Sequence, residues 1–167
     1  MSENKSNNTR PLVGLLSNVV LIRICSAIMF LFLMIGHLSA YPWSSTHNPQ
    51  ESRLVESMKS IDFVFLGEHS TYWNLYFGWG LLVAVLLFAL AAILWLLSDL
   101  ASLAPRRLGV ITGVISAING VGAYISFRYF YVPPSLSFLA ICVILLAVSG
   151  RLLRAPKLSA GGEPAKS

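Results

Sequence analysis

Charge is what this sequence has least of. Lys, Arg, Asp and Glu together make up 11% of the 167 residues, where a soluble domain carries about 25%. So few charges could not clothe a chain that is 56% hydrophobic, which excludes an ordinary soluble fold. Cysteine is nearly as scarce. Cys25 and Cys142 stand alone with no CxxC, so neither a disulfide framework nor a zinc site is encoded by spacing. If each sits in a helix, they lie near opposite ends and do not meet; both read as small core residues. Three histidines, with no HExxH or His-x-His pair, place no two ligands on one helix face. Also missing are a Ser-His-Asp arrangement, a phosphate-cradling glycine loop and paired carboxylates within an apolar run. No catalytic residue, metal ligand or cofactor is therefore expected.

What the chain does have is long apolar runs, about Val20 to Tyr41, Trp73 to Leu97, Leu108 to Tyr131 and Ser135 to Leu153. Each approaches the roughly 20 residues an α-helix needs to cross the hydrocarbon core. The expected fold is an all-α membrane protein, a bundle of four transmembrane helices. The membrane domain is taken as residues 20–154, with disordered cytoplasmic tails at 1–19 and 155–167, where Ser, Asn, Thr, Gly and charge prevail. Arg23 followed by Ile24 to Ile35 has the shape of a signal peptide. Leu38-Ser39-Ala40 is a poor cleavage site, however, and the run continues into a Tyr41-Pro42-Trp43 interface anchor, so a retained first helix is expected.

Positive charge fixes the expected orientation. Lys5, Arg10, Arg23, Arg106, Arg107, Arg151, Arg154, Lys157 and Lys166 share one side if all four runs cross, nine of the twelve Lys and Arg in the chain. The other side receives Arg53, Lys59 and Arg128, with Glu51, Glu56, Asp62 and Glu68. The positive-inside rule puts both termini in the cytoplasm. The net charge of +5 does not imply nucleic acid, because no contiguous basic patch interleaved with aromatics exists.

The polar segment Pro42 to Thr71 is too long for a tight connection. Leu54, Met58, Ile61 and Phe65 recur at helical spacing among charged residues, predicting a short amphipathic helix that starts at Asn48-Pro49 and stops at Gly67. It should lie along the outer membrane surface or cap the bundle mouth. In the third run, Gly109, Gly113, Ala117 and Gly120 form a small-residue stripe, with Ser116 and Ala123 beside it. Such stripes mark contact faces in membranes, where helices associate by close packing, so this helix should be the most buried. The fourth run, from Phe138 to Val148, is featureless and should face lipid. Four spans without an inverted repeat or a broken-helix pair give no midplane transport site.

The second run opens with Tyr72-Trp73-Asn74 and continues to Gly78-Trp79-Gly80, with Gly36-His37 late in the first. This pattern resembles a family of small uncharacterised four-helix bacterial integral membrane proteins, in which a Trp-Asp pair opens the second helix. Asn74 stands here in place of the acid. In length and span count the chain also resembles the DoxX-like four-helix architecture. Neither resemblance implies a catalytic residue.

Polar groups at membrane depth are costly and are therefore candidate sites. His37 lies about 21 Å beyond Arg23 along the first helix, and Asn119 about 18 Å beyond Arg107 along the third. Glu68 and His69 precede the second helix, Asn74 and Tyr76 open it, and Tyr124 and Arg128 approach the outer end of the third. All fall in the outer half of the membrane. As helix glue, His37 and Asn119 would bond neighbouring helices while Arg128 snorkels and pairs with Glu68. As a pocket, the same groups would suit a polar-headed lipid or a quinone. A haem between His37 and His69 is disfavoured by their different depths. The expectation is a structural or accessory membrane component in contact with membrane lipids and with a membrane-protein partner or a second copy. A lipid or quinone binder is the alternative.

Overall fold

The computed structural model describes residues 9–40 and 48–154. Four helices are long and apolar enough to cross a membrane: Ser17–Ser39, Tyr72–Ala101, Pro105–Tyr129 and Val132–Leu153. The protein is thus a multi-pass, all-α membrane protein. The first span is composite. Helix α1 (Thr9–Ile28) passes into a π-helical stretch (Met29–Ile35) and then α2 (Gly36–Ala40). Met29 and Leu33 are buried, and His37, four residues on, bonds to the second span. A repeat of four exceeds the 3.6 residues of an α-turn. The wider i→i+5 turn absorbs the difference and keeps these residues on one side.

Helix α1 begins at Thr9, so the tail expected over residues 1–19 is already helical from that point. Pro11 falls in its first turn, where a missing N–H costs nothing. Residues 1–8, the C-terminal tail 155–167 and the Tyr41-Pro42-Trp43 anchor lie outside the described residues.

Beyond the first span, α3 (Pro49–Ser60) starts as the sequence predicts. Asn48 accepts the Glu51 amide through its side chain at 2.8 Å, and Pro49 occupies the first turn, satisfying donors that the helix itself cannot. It does not run to Gly67. It stops at Ser60, and β1 (Asp62–Phe65) pairs antiparallel with β2 (Glu68–Thr71). The two-residue link has positive φ at both positions, 52° at Leu66 and 88° at Gly67. That is the requirement of a tight hairpin turn matched to strand twist. Gly67 thus turns a hairpin instead of ending a helix, and Phe65 is a strand residue.

Thr71 then caps α4 (Tyr72–Leu97), accepting the Asn74 amide at 3.1 Å. The loop structure leans on the opening of α4: Phe63 packs on Tyr72 at 5.0 Å between ring centroids, and the Lys59 ammonium sits 4.8 Å over the Trp73 ring. It packs along the opening of the second span. A 3₁₀ turn (Ser98–Ala101) leads to α5 (Pro105–Tyr129), and a short turn at Phe130 and Tyr131 leads to α6 (Val132–Leu153).

The spans neighbour one another in the order second, first, fourth, third. The fourth, expected to face lipid, instead stands between the first and the third. Its Ile141, Leu145, Val148 and Leu152 are buried with Ile22, Cys25, Met29 and Leu33 of the first. The α5–α6 contact is the most extensive in the molecule. It is formed along Gly109, Gly113, Ser116, Gly120 and Ala123. A Cβ added at Gly109, Gly113 or Gly120 would come within 3.0 to 3.3 Å of Leu153, Ser149 or Cys142. Ala117 is exposed and lies off this seam, because the spacing is the alternating four and three of a heptad and not a run of fours. The third span buries the largest share of its residues, as expected.

Candidate functional site

Some polar side chains inside this fold bond carbonyls of an adjacent span, and others, among them Thr112, Asn119 and Ser135, bond carbonyls of their own helix. Ser116 Oγ donates to the Cys142 carbonyl at 2.8 Å and Ser149 Oγ to the Gly109 carbonyl at 2.7 Å, tying the third span to the fourth. Ser26 Oγ donates to the Ala91 carbonyl at 2.7 Å. His37 Nε2 donates to the Gly80 carbonyl at 2.9 Å, so Nε2 carries the proton. A glycine there leaves the carbonyl open to an approaching imidazole. Among the described residues, each hydrogen bond between spans joins first to second or third to fourth. Between the first and the fourth no hydrogen bond is formed among the described residues, and Ile22, Met29, Ile141 and Leu145 are buried together.

The outer polar residues do not converge. Asn119 is buried on α5 and donates to the Ile115 carbonyl of its own helix at 2.8 Å; its Oδ1 has no hydrogen-bond partner among the described residues. Tyr124 and Arg128 are exposed on α5, and Arg128 lies 5.5 Å over the Tyr129 ring. No Arg128–Glu68 ion pair forms. Glu68 and His69 are exposed in β2, opposite Phe65 and Val64. Tyr76 packs on Trp73 at 6.0 Å. Asn74 borders a shallow groove with Ser70, Gly78 and Trp79, which none of the other candidate residues joins. Equal depth did not mean adjacency, because the helices stand in a row and present these groups to different sides.

At the end of the molecule carrying the termini, the structure assembles a group that depth alone did not suggest. Arg23 Nε donates to Ser98 Oγ at 3.1 Å and Nη2 to Asp99 Oδ1 at 2.9 Å, while its guanidinium lies 4.9 Å over the Trp95 ring. Ser98 in turn donates to the Trp95 carbonyl at 2.7 Å. The pair is open to the surroundings, with side-chain exposures of 40% and 65%. Directly beside it, a groove of about 300 Å³ runs between the first and second spans. It is lined by Ala27, Ala91, Ala92 and Trp95 and, at its far end, by Phe30 and Phe88, whose rings pack 6.1 Å apart between centroids. Sequence reasoning used Arg23 as an orientation marker only. The available signal was an Arg and an Asp near the same end of two antiparallel spans, where each needs a counter-charge.

Compared with known proteins, the chain matches no family model, no curated protein and no solved structure.

Proposed function

We propose that this protein is a structural or accessory component of a bacterial cytoplasmic membrane, with both termini in the cytoplasm. The observation that supports this reading most is the use of its polar groups. His37 bonds a neighbouring span, Asn119 bonds its own helix, and the other candidate side chains are spread over different faces. The resemblance of its second-span opening to small four-helix bacterial membrane proteins agrees with that role. Membrane lipids surround it, and a protein partner or a second copy completes its working context.

Two measurements test the proposal. His37→Ala should cost about 0.6 to 2 kcal/mol of stability in detergent, the range for a hydrogen bond between membrane helices. It should release no quinone or other polar-headed ligand that co-purifies in stoichiometric amount. If such a species is present in wild type and lost from His37→Ala and Arg128→Ala while both stay folded, the outer-half binder replaces the accessory role.

Orientation is tested separately, in a chain whose Cys25 and Cys142 are first replaced by Ala. Cysteines at positions 6 and 159 should be shielded from an impermeant thiol reagent in intact cells, whereas one at the exposed Ser57 should be labelled. Labelling at 159 without 57 would reverse the topology.

A further inference from the structure

We infer that the groove between the first and second spans seats one acyl chain of a phospholipid whose head is zwitterionic, a phosphate with a primary ammonium, held on Arg23 and Asp99. Depth is the first argument. Arg23 is six residues, about 9 Å, inside the first span and Asp99 is two residues from the end of the second. Both therefore stand where headgroups meet acyl chains. The groove runs from Trp95 toward Phe88, about 10 Å along the helix and into the hydrocarbon. Trp95 belongs to both parts: it lines the groove and is the platform under the Arg23 guanidinium.

Shape supplies the second argument. Between Trp95 and the packed Phe30–Phe88 pair, 6.1 Å between ring centroids, the small side chains of Ala27, Ala91 and Ala92 leave a recess that part of an unbranched chain fills by dispersion contact. Both Ala27 and Ala92 are exposed to the surrounding membrane, so a lipid can enter sideways from the bilayer. The Ser26 hydroxyl on this groove is already bonded to Ala91, which leaves the recess apolar.

Charge complementarity selects the headgroup. Arg23 and Asp99 meet through one Nη2–Oδ1 contact, not a two-point fork, so Nη1 and the second carboxylate oxygen lie outside that bond. A phosphate is matched to the guanidinium and an ammonium to the carboxylate. A purely anionic head would gain the first contact and meet repulsion from Asp99. The site therefore favours an aminophospholipid over phosphatidylglycerol.

Native mass spectrometry of the full-length protein with phosphatidylethanolamine or phosphatidylglycerol added at equal concentration tests this. The expected result is about tenfold preferential retention of phosphatidylethanolamine. Asp99→Asn should bring the ratio close to one. The double variant Ala27→Leu, Ala92→Leu fills the groove from its lipid-exposed side without touching the core, and should lower retention of both lipids by about tenfold. Equal retention of the two lipids by wild type would overturn the proposal, as would unchanged binding in the groove-filled variant. Should Asp99→Asn not fold, the groove-filled variant and the wild-type ratio decide the matter. Cross-linking of a cysteine at position 92 to a second copy, in place of lipid retention, would likewise overturn it.

Discussion

Gly113→Leu is expected to destabilise the protein in detergent by about 1 to 3 kcal/mol, the usual cost of forcing bulk into a packed interface. A Cβ at this position would lie 3.0 Å from Ser149 Oγ. That hydroxyl cannot swing away without losing its 2.7 Å bond to the Gly109 carbonyl. One substitution therefore removes close backbone approach and a hydrogen bond together, at the most extensive helix contact in the molecule. Ala117→Leu and Ala140→Leu are the controls. Both residues are exposed, and added bulk there should be mild. Thermal unfolding of the three variants separates the possibilities, and an Ala117→Leu loss equal to that of Gly113→Leu would mean that the contact face has been misassigned.

Asn119→Leu should act in the opposite direction and raise stability by about 1 to 3 kcal/mol. The Asn119 side chain is 1% exposed and its Oδ1 has no partner among the described residues, and a buried acceptor left unsatisfied carries a desolvation cost of that size. Leu keeps the branching at Cγ. The Nδ2 bond to Ile115 is internal to α5, so its loss frees a carbonyl that the helix already uses. Were Asn119 a clamp between helices, as its position in the sequence suggests, the same change would lower the melting temperature instead. The sign of the shift decides between a strained polar group and glue.

The spans were legible in the sequence because length and hydropathy determine them, and the start of α3 was legible because Asn-Pro is a strong capping signal. The hairpin was not. Leu66-Gly67 supplies the needed positive φ at both positions, but Leu is a poor tenant of that region, so the usual Asn-Gly or Asp-Gly signature is missing. The π-helical stretch leaves no compositional trace in Met29–Ile35, where every residue is apolar.

Helix order was hidden for a different reason. In lipid the outward faces are as apolar as the inward ones, so Phe138 to Val148 looks featureless although Ile141, Leu145 and Val148 are fully buried. The small-residue stripe marked a contact face on α5 without identifying its partner, and the heptad spacing that admits Ser116 and Ala123 and leaves out Ala117 appears only once α6 is known to be that partner. As for the site, sequence gave the depth of each polar residue but not its azimuth. His37 and Asn119 share a half of the membrane yet turn to different neighbours, and the Arg23–Asp99 pair emerges only when α4 is laid antiparallel to α1.

The pairing of hydrogen bonds within consecutive spans bears on how the chain is made. Ser26, His37 and Arg23 find their partners on the second span, the very next to emerge during synthesis, and Ser116 finds its partner on α6, the span that follows its own. Each two-span unit can therefore enter the bilayer with these polar groups already matched, without waiting for the other unit. What remains for the last step is the meeting of two hydrogen-bonded pairs through a largely apolar cluster that includes Ile22, Met29, Ile141 and Leu145.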